Sequence, residues 1–198
     1  MKQIRQSSRE EVVSYYIASE LKRFLERADK QPSLDPKIIR AFSELANTNE
    51  GTLQHMSRAL LDVWREHSWL HQQFWSQPPL AWSLVEVQPA EIDVMPLGGK
   101  PEEFHYPKLD VLVQQLQAAA SRGERVAGIE DDPKSLLTLR PLPPLQNRII
   151  LINGEHENRH CDCVIGDGVH RAISMAAMNL LPLVGYYGVP HNDAAAKI

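Results

Sequence analysis

The chain has 198 residues, 43% of them hydrophobic and 23% charged, which is the composition of a globular protein with a sizeable core. Its net charge is −4, and residues 81–198 hold the acidic excess, with 15 Asp and Glu against 10 Lys and Arg, which argues against a broad nucleic-acid surface there. The longest apolar stretch is broken by Asn179, Pro182 and Gly185, so we expect no membrane span. Two cysteines one residue apart form no disulfide framework, which favours a cytoplasmic location.

Helical patterning dominates the first part of the chain. Ser8, followed three positions later by a glutamate, has the spacing of a capping box, and apolar residues then recur at helical intervals. A second helix is predicted from Asp35 and a third, longer one from near Thr52. A proline pair then interrupts the pattern. We therefore predict a segment of three helices over residues 1–78 and a second domain over residues 79–198.

The function of these helices is open to more than one interpretation. Two helices around a short turn are also typical of a DNA-reading helix-turn-helix, but the third helix is too long for that unit and has few cations. Three tryptophans, Trp64, Trp69 and Trp75, indicate core packing or a contact with a protein partner or a second copy of the chain. A base-stacking platform would need interleaved Lys or Arg, which this region does not provide.

The second domain mixes strands and helices, so the predicted fold class is α+β. Its elements in order are extended segments over residues 82–87 and 92–97, a helix over 107–121 that stops at Gly123, an acidic turn over 128–134, a strand over 148–153 with a hairpin partner ending at 164–165, a helix over 169–179 and a last strand over 182–187.

The most informative stretch joins the hairpin to the helix after it. A short apolar run ends at Gly166, Asp167 and Gly168, and a helical period then begins with His170 and Arg171 in its first turn. Glycines at this position let an anion approach the backbone, and the N–H groups and dipole of the helix favour negative charge. The pattern therefore predicts a phosphate-binding turn, whereas a purely structural turn would need the glycines but not the His-Arg pair.

Residues from about 82 to 188 resemble the ParB/sulfiredoxin-like superfamily. The likeness consists of a first strand and proline segment over Val85–Ile92, a helix over Leu109–Ala120, the motif Asp167-Gly168-Val169-His170-Arg171 and a closing strand over Leu181–Gly185. In that superfamily the motif helix binds nucleotide phosphates. The resemblance implies that ATP, ADP or CTP binds here with Mg²⁺.

Members of the superfamily differ in their chemistry. Sulfiredoxins use a cysteine just before the His-Arg pair, where this chain has Val169. Partition proteins carry a DNA-reading domain downstream, which has no counterpart after the last predicted strand. Serine kinases of the family phosphorylate a small hydroxyl. We therefore expect a Mg-nucleotide-dependent phosphotransferase acting on a small molecule, or a nucleotide triphosphatase; the alternatives are a non-catalytic DNA-associated or partner-binding regulator of the partition type, or a nuclease.

Candidate roles follow for individual residues. Gly166, Gly168, Val169, His170 and Arg171 would bind the phosphates, with Arg171 making a bidentate contact. His170 would contact a phosphate oxygen or transfer a proton. Asp167 would hold Mg²⁺ or orient a hydroxyl, unless it only caps the helix. By location alone, Glu102 and Glu103 are candidates for a catalytic base.

A zinc site is the competing interpretation of the residues just upstream. His156, His160, Cys161 and Cys163 are all possible zinc ligands. However, the cysteines lack knuckle spacing, and in a regular strand they would point to the same face while the histidines lie in the hairpin loop. A solvated hairpin tip therefore accounts better for this cluster.

Overall fold

A computed structural model describes residues 1–13, 15–16, 80–97, 106–138, 147–156 and 159–190. The named elements of this part are strands β1 (Lys2–Ser7), β2 (Leu80–Val87), β3 (Ile149–His156), β4 (Arg159–Asp167) and β5 (Leu183–Pro190), helices α1 (Leu109–Arg122), α2 (Pro133–Leu137) and α3 (Val169–Ala177), and a 3₁₀ turn at Pro89–Glu91. The prediction of a mixed α and β architecture is confirmed.

The strands form one mixed sheet in the order β1-β2-β5-β3-β4. Strands β3 and β4 pair as an antiparallel hairpin, and β3 also pairs with β5 in parallel. Between β3 and β5, Gly185 lies opposite Ile149, so close that a Cβ on Gly185 would stand 2.7 Å from the Ile149 carbonyl oxygen. The strand order places β5, the last strand of the described residues, at the centre of the sheet.

One core joins this sheet to the three helices. Its buried members come from all three helices and from strands that include β3, β4 and β5. They include Leu109, Leu112 and Leu116 on the 3.6-residue stripe of α1, Leu136 of α2, Ala172 and Ile173 of α3, and Ile149, Leu151, Ile165 and Leu183 of the strands. Helix α1 ends where predicted, at Gly123, which adopts a left-handed conformation at φ 69°. Helix α2 was not predicted; the side chain of Asp132 caps it by accepting a hydrogen bond from the Ser135 N–H.

The expectation that the chain opens with a helical segment is wrong for its first residues, which form strand β1 at the edge of the sheet. Its side chains are mostly exposed and polar, so no apolar alternation announces the strand. The predicted N-cap is confirmed at Ser8, whose hydroxyl accepts a hydrogen bond from the Glu11 N–H at 3.1 Å, one of the two bonds of a capping box, and residues 9–13 and 15–16 are helical. The rest of the three predicted helices lies outside the described residues.

The chain divides into two compact units. One consists of Met1–Gln6 together with Trp82–Ile198, and the other of Ser7–Ala81. Along the sequence, the second unit therefore falls between strands β1 and β2. None of the helices in the described ranges is of a length and hydropathy that would cross a membrane.

The chain that follows β2 reaches β4, the strand at the opposite edge of the sheet. After the 3₁₀ turn, Asp93 bridges to Val164 of β4 and to Lys108 on its other side. The Asp93 carboxylate is buried and lies 3.0 Å from the Lys108 ammonium nitrogen, which compensates the burial of the charge. The predicted extended segment over residues 92–97 is thus present as three isolated bridges, two at Asp93 and one at Leu97, and not as a strand.

Candidate functional site

Strand β4 carries an extra residue just before the predicted phosphate-binding turn. Leu151 pairs with Ile165, but the preceding residue, Ile150, pairs with Asp167. Gly166 therefore has no partner of its own, as in a β-bulge. A bulge changes the direction of the side chains that follow it, so Asp167 departs from the alternation that buries Ile165.

Gly168 is the residue on which the turn depends. It occupies the N-cap position of α3 with φ 89° and ψ 24°, a left-handed conformation that side chains other than glycine adopt at a cost. A Cβ at this position would stand 2.8 Å from a guanidinium nitrogen of Arg171 and 3.0 Å from a methyl carbon of Ile149. Gly168 has no side chain to cap the helix. The first backbone N–H groups of α3 therefore receive no hydrogen bond from an N-cap side chain and can donate to a ligand in front of the helix.

Arg171 turns back over Gly168 instead of projecting into solvent. Its Nη2 donates a hydrogen bond to Asp167 Oδ2 at 2.7 Å, and the two side chains are only 14% and 9% exposed. The structure thus brings together the two residues to which we assigned phosphate and metal binding, but as partners of one another. The ion pair joins the residue before Gly168 to a residue in the first turn of α3, and it therefore stabilises the conformation of the turn.

The Mg²⁺ role of Asp167 is a poor fit to this geometry. A carboxylate already bound to a guanidinium would have to leave it to bind a cation. The described ranges contain no group of three or more His, Cys, Asp or Glu residues that could hold a metal ion. We therefore assign no metal ligand among the described residues and derive no step through one.

His170 is the polar side chain of the turn that reaches outward. Its Nε2 lies 3.0 Å from Oδ2 of Asp131, which precedes α2, and the two side chains are 37% and 48% exposed. We did not predict Asp131 as a site residue. The acidic turn around it was visible in the sequence, but no spacing rule links two residues 39 positions apart.

Val169 packs its side chain against the main core, so it contributes only backbone to the turn. The two glutamates predicted as candidate bases, Glu102 and Glu103, lie outside the described residues. The turn described here therefore offers one outward-facing group for acid-base chemistry, the imidazole of His170.

The second irregularity of β4 separates the two cysteines. Ile152 pairs with Val164, whereas Gly154 pairs with Cys161, so β4 has another extra residue between them. As a result Cys163 belongs to the main core, while Cys161 packs with Tyr106 and Val164 in a separate cluster. The expectation that both cysteines point to one face is wrong, because it assumed a regular strand.

These positions do not favour the zinc alternative. Both cysteines are buried and neither forms a disulfide bond, and burial raises the pKa of Cys163 to about 12, so that its metal-binding thiolate is strongly disfavoured. His160 is exposed and lies 3.3 Å from the carboxylate of Asp162. His156 falls on β3 at the hairpin end, opposite Arg159.

Comparison with known proteins adds no assignment. No protein-family model matches the chain, and neither a curated protein nor a solved structure matches it.

Proposed function

We propose that the chain binds a nucleotide through its phosphates at the turn Gly166–Arg171, and that it uses the nucleotide for phosphoryl transfer to a small molecule or for hydrolysis. One observation carries the proposal: α3 starts at a left-handed glycine with no cap side chain, directly after a bulge, with a histidine facing outward beside it. Bulges and glycine caps of this kind recur where the backbone must approach a ligand.

The backbone is the main anion-binding group in this proposal. The N–H groups of Val169 and His170 belong to the first turn of α3, where no earlier helical carbonyl is available to them, and the helix dipole adds partial positive charge. A phosphate oxygen accepts from these groups without any change in the fold. The buried pair of Asp167 and Arg171 holds the turn in place, so its contribution to binding is indirect.

His170 supplies the polar side chain at the same place. The ring nitrogen that is not bonded to Asp131 can accept the proton of an attacking hydroxyl or water while the phosphoryl group moves, and the doubly protonated ring can donate to a phosphate oxygen. Phosphoryl transfer depends largely on positioning and charge stabilisation, which a fixed turn of backbone donors provides. In this proposal the turn supplies the phosphate binding and His170 supplies the proton transfer.

Calorimetric titration of ATP, ADP and CTP, each with Mg²⁺, tests the proposal. We expect one nucleotide to bind the wild type and His170→Ala to weaken its binding about tenfold, or roughly 1.4 kcal/mol. His160→Ala is the matched control, because it removes another exposed histidine that is paired with an aspartate and leaves the turn intact. If none of the three nucleotides gave binding heat with the folded wild type, the proposal would be overturned.

The choice of variant matters because of the buried ion pair. Arg171→Ala leaves Asp167 buried without its guanidinium partner, which costs about 3 kcal/mol of stability and mixes binding with folding. His170 is partly exposed, so its replacement reports on binding. If instead the protein bound duplex DNA in a salt-sensitive manner and bound no nucleotide, the partition-type alternative would replace the proposal.

A further inference from the structure

We propose that Asp131 is a positioning residue for His170, fixing the orientation of its imidazole and determining which ring nitrogen carries the proton. The inference deepens the proposed function, and its chemical consequence rests on that function. The contact itself can be tested whether or not a nucleotide binds.

The chemistry of the two groups determines the direction of the hydrogen bond. An ionised carboxylate can only accept, so Nε2 of His170 must carry the hydrogen that bridges the 3.0 Å to Asp131. In the neutral ring Nδ1 then holds the free lone pair. The ring makes no other hydrogen bond with the described part of the chain, so Nδ1 remains available to take a proton from a substrate.

Asp131 is held firmly on both sides. Before it, the backbone of Leu97 donates to the Gly128 carbonyl at 3.0 Å and accepts from the Glu130 N–H at 3.0 Å, and the neighbouring Ile129 is buried. After it, Asp132 caps α2. The loop therefore presents the carboxylate of Asp131 from a fixed backbone.

His170 is held equally well, since it stands in the first turn of α3, whose inner face is buried in the core. Both side chains are short, so little rotamer freedom is lost when they meet. An exposed ion pair of this kind adds little to stability. The geometry of the Asp131–His170 pair is better explained by orientation of the imidazole. In many enzymes a carboxylate bonded to one ring nitrogen orients a catalytic or metal-binding histidine in this way.

Long-range ¹H–¹⁵N correlation spectra of the imidazole, together with ¹³C relaxation of its ring carbons, test the inference directly. In the wild type we expect one tautomer, with hydrogen on Nε2, and a rigid ring. In Asp131→Asn, whose amide can either donate or accept, we expect the Nδ1–H form to increase about threefold or more and the ring to become more mobile. The same tautomer ratio and ring mobility in both proteins would overturn the inference.

Glu130→Gln is the matched control, because it removes the same charge from the adjacent exposed residue. We expect its spectra to match the wild type, and an equal change in both variants would overturn the inference in favour of a general charge effect. The Asp131 side chain is exposed and asparagine has nearly the same shape, so we expect Asp131→Asn to fold. A circular dichroism spectrum and a thermal midpoint close to those of the wild type would verify this.

Kinetics separate this inference from the proposed function. With the nucleotide that binds, Asp131→Asn should lower kcat about 10- to 100-fold while KM changes little, because the nucleotide is held mainly by backbone groups. Full kcat in Asp131→Asn, from an enzyme that binds and turns over nucleotide, would overturn the positioning role and leave the proposed function intact. A wild type that binds no nucleotide would end the proposed function, and the imidazole spectra would still decide the role of Asp131.

Discussion

Two glycines in left-handed conformations differ in what surrounds them. Gly123 closes helix α1 at φ 69° with no heavy atom within 4 Å of where a Cβ would be. Gly168 opens helix α3 at φ 89° beneath the guanidinium of Arg171 and beside Ile149. At Gly123 glycine is therefore required only by the left-handed backbone, whereas at Gly168 it is required by the backbone and by the close packing around it.

This difference predicts unequal costs for the same substitution. Gly123→Ala should lower the free energy of unfolding by about 1–2 kcal/mol, the cost of a left-handed backbone. Gly168→Ala should cost that amount and more, because the Arg171 side chain and Ile149 must also move. Urea unfolding of the two variants measures the difference. Equal losses would show that Arg171 moves aside freely, and would contradict the packing described for the turn.

At the scale of elements, helix α1 and the central strands could be predicted because their own residues carry the signal. The stripe from Leu109 to Leu116, ended by Gly123, predicts a helix whatever packs against it. The irregularities of β4 could not be predicted, since a bulge is defined by the pairing of two strands and Gly166 looks like any turn glycine. The contact between Asp131 and His170 could not be predicted either, because it joins two residues 39 positions apart that only the tertiary fold brings together.

The bulge before Val164 has a consequence that can be measured at high pH. It places Cys163 in the core, where burial raises the pKa of the thiol from 9.0 to about 12, with the Asp93 carboxylate adding to the effect. Between pH 9 and pH 12 the folded state keeps a proton that the unfolded chain loses, so stability falls as the pH rises.

We expect the free energy of unfolding of the wild type to decrease across this interval by up to about 1.4 kcal/mol per pH unit from this thiol. In Cys163→Ala the slope should be smaller by that contribution, although the variant is less stable at neutral pH. Unfolding in urea at a series of alkaline pH values measures both slopes. Parallel profiles for the two proteins would show that Cys163 does not titrate in the way its burial requires.

At the scale of the whole molecule, the sheet is assembled from both ends of the chain. Strand β1 belongs with Trp82–Ile198, although 72 residues separate its last residue from the first residue of β2. No periodicity predicts such a pairing, because it depends on which edge of the sheet is left open. The polar composition of β1 suits that place, since lysine and other polar side chains protect an edge strand from further pairing.

Removing β1 should therefore affect its neighbour more than the hairpin. In a variant lacking residues 2–6, we expect amide hydrogen exchange to accelerate in β2, whose backbone groups lose their partners on one side. The amides shared by β3 and β4, at the opposite edge, should keep their protection. Uniform acceleration through the sheet would instead indicate that β1 is needed for the whole unit to fold.

The central position of β5 also bears on the order in which the protein takes shape during synthesis. A ribosome completes β1 and β2, and later the β3–β4 hairpin, before it makes the one strand that lies between the two pairs. Each pair therefore presents an open edge until residues 183–190 have emerged, and a chain that stops short of them cannot close the sheet. Closure of this sheet therefore waits for residues 183–190 and depends on contacts between residues that are distant along the chain.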